Sequence, residues 1–132
     1  MRALGRHILV EYFNCDRVLL NDPVRLESCL KEAAVKTGAH ILSSTFRTFE
    51  PHGVSGVVIV AESHLAIHTW PEYGILLGDF FTCGEQANPW KAHDYLKGIL
   101  KPTHSKEQEI LRGIMGVDVP HKPFVLKGAE SV

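Results

Sequence analysis

No apolar run in this 132-residue chain approaches the roughly 18 residues of a membrane-spanning helix, and the segment from Met1 to Arg6 lacks the apolar core of a signal peptide. A cytoplasmic protein without a membrane partner is expected. Like charges form no block: 14 Lys and Arg stand against 15 Asp and Glu, a net charge of -1, so nothing resembles the footprint of a nucleic-acid or anionic-membrane binder. A small polar molecule is the expected substrate. The three cysteines, Cys15, Cys29 and Cys83, are odd in number and lack CxxC spacing, which argues against a disulfide framework and a zinc knuckle. Cys15 and Cys29 read as small buried hydrophobes. Tandem repeats are also absent.

What is there suffices for one core: 45% of the residues are hydrophobic, and the length suits a single domain spanning 1–132. His7 to Phe13 is rich in β-branched and aromatic residues and reads as a central opening strand. Asp22-Pro23 caps a helix whose apolar face is Val24, Leu30, Ala33 and Ala34, and Gly38 stops it. His40 to Phe49 and Val54 to Ala61 read as a strand pair around Pro51 and Gly53. Leu65 to Trp70 and Ile75 to Thr82 form another around Pro71-Glu72-Tyr73-Gly74. Asn88-Pro89 opens a second helix, with Trp90, His93, Leu96, Ile99 and Leu100 on one face. A last strand is expected over about Glu107 to Met115, with an irregular tail from Pro120. The order β-α-β-β-β-β-α-β predicts an α+β fold, a two-layer α/β sandwich whose mostly antiparallel sheet carries two main helices on one face.

The chemistry concentrates between Ser55 and Cys83. Glu62-Ser63 sits between the apolar run Val57 to Ala61 and the strand that follows, where the sheet changes direction, and a serine held there can attack its own backbone. His64 and His68 have the HxxxH spacing of helical zinc sites, but on a strand residues four apart lie roughly 13 Å from each other, too far to share a metal. No metal site is expected. Ser63, His68 and Glu72 could suggest a hydrolase triad, yet the GxSxG elbow is missing and Ser63 precedes a strand where an elbow serine opens a helix. Structural imidazoles on a sheet are the plain reading of both histidines.

The stretch GVSGVVIVAESHLAIHTWPEYG followed by DFFTCG resembles the core of the bacterial and archaeal S-adenosylmethionine decarboxylases. The resemblance extends to LGRHILVE, Asn14-Cys15-Asp16, Ser44-Thr45-Phe46, Pro89-Trp90-Lys91-Ala92, Arg112-Gly113 and Pro120-His121-Lys122-Pro123. It implies that the precursor cleaves itself at Glu62-Ser63 into a β chain of 1–62 and an α chain of 63–132. Ser63 Oγ attacks the Glu62 carbonyl to form an ester. β-Elimination then leaves dehydroalanine, which takes up water and loses ammonia to become a pyruvoyl cofactor. His68 is implied as acid or base in this processing, and Ser55 as a holder of the reacting carbonyl.

The resemblance further implies that the substrate amine forms a Schiff base with the pyruvoyl ketone, which takes up the electrons released with carbon dioxide. Cys83 is implied as the proton donor to the α-carbon, and its place beside Gly84 at a strand end suits a partly exposed thiol. Phe49 and Trp70 can stack on adenine or face the sulfonium, and Glu72 can accept hydrogen bonds from ribose, although core is the plain reading of either aromatic. Two features depart from the family: Ile75-Leu76-Leu77-Gly78 replaces an aromatic-containing run, and Glu50 and His52 replace apolar or aromatic residues. A carboxylate there could favour a guanidinium or ammonium group, which keeps an arginine or ornithine decarboxylase as an alternative. A non-catalytic regulatory homologue is a further one. The family implies a homo-oligomer, a dimer of αβ protomers building active sites at their interface.

Overall fold

The computed structural model describes residues 3–117 and Lys127. The tail expected from Pro120 lies outside the described residues. Strands β1 (Ala3–Phe13), β2 (Ile41–Thr48), β3 (Val54–Val60), β4 (Ser63–Trp70), β5 (Ile75–Cys83) and β6 (His104–Ile114) form one sheet in the order β2-β3-β4-β5-β1-β6. All five pairings are antiparallel. Helices α2 (Pro23–Thr37) and α3 (Pro89–Leu100) pack on each other and on one sheet face, which gives the expected two-layer architecture. No helix among the described residues is long and apolar enough to cross a membrane.

Both main helices begin as the sequence suggested, because Asp22 and Asn88 accept from the backbone N–H of Arg25 and Trp90 and a proline follows each cap. Gly38 takes the left-handed conformation that ends α2. The buried face of α2 is Leu26, Leu30, Ala33, Ala34 and Thr37, while Val24, expected there, is 75% exposed. Likewise Ile99 on α3 faces solvent beside the buried His93, Leu96 and Leu100. Helical rotation of about 100° per residue puts Val24 on the side of α2 away from its buried stripe and Ile99 at the edge of the α3 stripe. A short helix α1 (Arg17–Leu20) was not anticipated, although Asp16 caps it through Val18 and Leu19. It delivers Leu19 and Leu20 to the core. β6 begins three residues before the expected Glu107, and β1, flanked on both sides, is second from an edge and not central.

Period-two alternation divides the sheet residues between two environments. Ile8, Val10, Tyr12, Val58, Leu65, Ile67, Leu76 and Phe80 point at the helices and are buried. Among the described residues the opposite face carries no helix, and it presents His7, Leu9, Ile59, His64, Ala66, His68, Leu77, Asp79 and Ile110. Close packing also has a local requirement at Gly56, where the Phe46 ring occupies the space a Cβ would need.

The outer strand β6 is tied down by polar contacts. Glu109 accepts from Arg6 (2.9 Å) and Trp90 Nε1 (2.7 Å), and Tyr12 OH lies 2.7 Å from His93 Nδ1, whose Nε2 is 3.3 Å from Glu107. Burial holds the Tyr12 hydroxyl well above its usual range and pushes His93 below its ordinary 6.5, so Tyr12 donates to a neutral imidazole. A histidine that binds its proton less readily folded than unfolded contributes stability that is complete above pH 6.5 and lost as pH falls toward its folded value. His93→Gln is expected to lower stability at pH 7 by about 1–3 kcal/mol. It should also reduce the loss of stability between pH 7 and pH 5, as read by urea unfolding at each pH.

Candidate active site

Strands β3 and β4 are joined by the two residues Ala61 and Glu62, with Val60 paired to Ser63. The turn is held from three directions. Ala61 N–H donates to the His40 carbonyl (2.8 Å), the Glu62 carbonyl accepts from the Cys83 N–H (2.7 Å), and the Glu62 carboxylate takes the His40 N–H (2.9 Å) and lies 2.9 Å from His40 Nδ1. Glu62 is consequently only 9% exposed. Ser63 emerges from this turn at φ 148, a positive value that costs a residue with a Cβ about 1–3 kcal/mol. Its Oγ lies 3.1 Å from Cys83 Sγ.

This geometry has a chemical consequence. A peptide carbonyl facing a fixed N–H donor is polarised, and a tetrahedral oxyanion on the same atom would find that donor already in place. The neighbouring serine carries both a nucleophilic hydroxyl and local backbone strain that is relieved when its amide bond is lost. Cys83 stands at the end of β5 with an intermediate exposure. Burial pushes the Cys15 thiol up to about 11 and raises that of Cys29, so neither supplies a thiolate near neutral pH. Cys15 is buried as expected, whereas Cys29 on α2 is only half-buried against the core.

Ser55 and His68 form a second cluster. They are register partners on β3 and β4, and Ser55 Oγ lies 2.7 Å from His68 Nδ1. Beside them opens a groove of about 430 Å³ lined by Phe49, Glu50, His52, Ser55, His68, Trp70 and Glu72, a volume within the range of small-molecule sites. Phe49 (54% exposed) and Trp70 (39%) are not core residues, and their faces are available in this groove. Glu72 Oε2 is 3.1 Å from His52 Nε2, and this pair separates the groove from a neighbouring one of about 610 Å³.

The compact cluster expected from the sequence is thus two clusters. Ser63 with Cys83 and Glu62 lies at one end of β4, and His68 with Ser55, Phe49, Trp70 and Glu72 lies toward the other. Ser63 and His68 lie five positions apart on the strand, roughly 16 Å at the usual rise. Sequence reasoning did not find His40, the anchor of the Glu62 carboxylate, or the Cys83 N–H on the Glu62 carbonyl. Neither has a local signal: His40 is 22 residues from its partner, and an amide donor is invisible in side-chain identity.

A family model described as S-adenosylmethionine decarboxylase matches residues 6–113. The chain is similar to the S-adenosylmethionine decarboxylase proenzyme of Fervidobacterium nodosum, at 47% identity over 135 residues covering 98% of each chain. The proenzyme of Thermotoga maritima is 48% identical over 130 residues, which cover 95% of this chain and 100% of that one. The fold is similar to the crystal structure of the adenosylmethionine decarboxylase from Aquifex aeolicus, with a TM-score of 0.83 at 33% identity, covering 92% of this chain and 100% of the other.

The anchoring of the 61–62 turn yields a direct expectation. Glu62→Ala removes both carboxylate contacts to His40 and should lower unfolding free energy by about 1–3 kcal/mol. Urea unfolding in a Ser63→Ala background, where the chain stays continuous, measures this loss.

Proposed function

The chain belongs to the S-adenosylmethionine decarboxylase family, and from that premise we propose that it decarboxylates S-adenosylmethionine after cutting its own backbone at Glu62-Ser63. The observation that carries the reading is Ser63 itself, a strained serine whose preceding carbonyl is held by the Cys83 N–H and whose Oγ is 3.1 Å from Cys83 Sγ. Ser63 Oγ adds to the Glu62 carbonyl carbon, the C–N bond breaks, and the serine hydroxyl proton ends on the freed nitrogen. Elimination across the Ser63 Cα–Cβ bond then releases the chain ending at Glu62. These residues fit a pyruvoyl group formed at position 63, because the new terminus lies beside Cys83. A pyruvoyl ketone supplies the electron sink for loss of carbon dioxide from an amino acid.

The chain's own groups divide the remaining work. Cys83 Sγ returns a proton to the α-carbon. Phe49 and Trp70 offer aromatic faces to the adenine and the sulfonium, and the Glu72 carboxylate accepts from the ribose hydroxyls. The product is the aminopropyl donor for spermidine synthesis. Nothing in the comparisons favours arginine or ornithine as substrate, or a non-catalytic homologue. Intact mass analysis under denaturing conditions, before and after borohydride treatment, tests the reading. Two chains divided between Glu62 and Ser63, the second gaining two hydrogens on reduction, are expected. A single uncleaved mass after long incubation overturns it, and Ser63→Ala is expected to abolish cleavage and turnover together.

His68 and the groove are too far along β4 to serve Ser63 of the same chain, and the open sheet face supplies the remedy. Two copies stacked through this face, related by a two-fold axis that runs between the sheets and across the strands, set the His68 end of one β4 over the Ser63 end of the other. Leu9, Ile59, Leu77 and Ile110, each at least 36% exposed, give that face an apolar content suited to burial. The reading is a homodimer with two composite sites. Co-expressing the inactive variants Ser63→Ala and His68→Ala is expected to restore about a quarter of wild-type sites by random pairing. No restoration in a mixed dimer would place both clusters' work within one chain and refute the composite site.

A further inference from the structure

Four side chains on the open face form a hydrogen-bonded row across four strands. Arg112 on β6 lies 3.3 Å from His7 Nδ1 on β1, His7 Nε2 is 2.9 Å from Asp79 Oδ1 on β5, and His64 Nε2 on β4 is 2.6 Å from that same oxygen. An ionised carboxylate only accepts, so both imidazoles donate through Nε2. Arg112 only donates, so His7 Nδ1 is the acceptor in this contact. His7, His64 and Asp79 each offer a ligand atom within 4.8 Å of the others, and in the hydrogen-bonded row both Nε2 atoms are turned to the Asp79 carboxylate. The Phe81 ring packs against this row, with its centroid 5.1 Å from that of His7 and 6.0 Å from that of His64.

The row ends beside the reactive turn. His64 is peptide-bonded to Ser63, and Asp79, Phe81 and Cys83 are alternate residues on one side of β5, so a single carboxylate oxygen links the start of β4 to the strand that carries Cys83. The ladder alone fixes strand register but not the torsion at Ser63, which is the first residue of β4 and stands at positive φ. We propose that Asp79 is a positioning residue for backbone cleavage at Ser63: by gripping His64 and His7 through one oxygen, it holds the start of β4 in its strained conformation against Cys83. The inference rests on the cleavage reading above. Asp79 touches none of the reacting atoms, and its effect falls on the acyl shift, in which the Oγ–C bond to Glu62 forms as the C–N bond breaks. The hydrogen bond from His64, and then that from His7, hold the Asp79 carboxyl below its ordinary 3.8 against the opposing effect of burial, so it is ionised at neutral pH.

Timed intact mass analysis of freshly purified protein tests the proposal. Asp79→Asn keeps the volume and removes the charge, and the appearance of chain 63–132 is expected to slow by about 10- to 100-fold, as for misplacement of a reacting group by a distant change. Asp79→Glu is expected to recover part of the rate. Hydroxylamine cleaves an ester but not an amide, so it should not accelerate Asp79→Asn if formation of the ester is the slowed step. Melting temperature, compared in the uncleavable Ser63→Ala background, should fall little, separating positioning from loss of fold. Should Asp79→Asn fail to fold, His7→Gln, which loosens the outer grip only, is expected to show a smaller delay. Cleavage of these variants within twofold of a cleaving wild type overturns the inference alone, as does hydroxylamine rescue. A wild type that never cleaves overturns the parent reading.

Discussion

The arrangement depends on how the Ala61-Glu62 turn is held. A two-residue connection between antiparallel strands leaves little freedom, and here both faces of Glu62 are committed: its carboxylate to His40 and its carbonyl to the Cys83 N–H. These contacts come from residues 22 and 21 positions away, so the turn is fixed by the assembled sheet and not by its own sequence. The strain at Ser63 persists because the surrounding structure over-determines it, which is the condition under which unfavourable torsions survive in folded proteins. A serine in relaxed β conformation at this place would carry the same hydroxyl without the same reason to exchange an amide for an ester.

The two faces of the sheet serve different ends. The helix-covered face supplies the core, where Tyr12, Phe80, Leu65 and the α2 and α3 stripes exclude water. The open face holds the polar chemistry: the Ser55–His68 pair, the Arg112–His7–Asp79–His64 row and the groove aromatics. Because antiparallel strands alternate sides every residue, a single β4 contributes Leu65 and Ile67 to the core and His64 and His68 to the opposite surface. One short strand thus builds stability and reactivity together, but it spaces His68 far from Ser63. The composite dimer proposed above rests on that spacing as much as on the apolar character of the face.

Much of this was legible from local patterns. Proline after a capping Asp or Asn marked both main helices, and alternation marked the strands, since each rule depends only on neighbours in sequence. The misplacements are equally physical: Val24 and Ile99 are apolar residues outside the buried stripes, where identity predicts burial but helical rotation decides it. α1 is a single turn, too short to leave a periodic signature. The residues of both clusters were expected from the family resemblance, yet their division into two groups was not, because sequence proximity on a strand conceals distance.

The sequence by itself determined the family and the order of the main elements, and through the family resemblance it pointed to the Glu62-Ser63 junction and the candidate site residues, because motifs and short-range spacing reside in residue identity. Only the tertiary structure decided that His40 anchors Glu62, that the Cys83 amide faces the Glu62 carbonyl, that Phe49 and Trp70 line a groove and that Asp79 joins two histidines. Those contacts bridge strands distant in sequence, and their geometry exists only once sheet register and side-chain direction are set together.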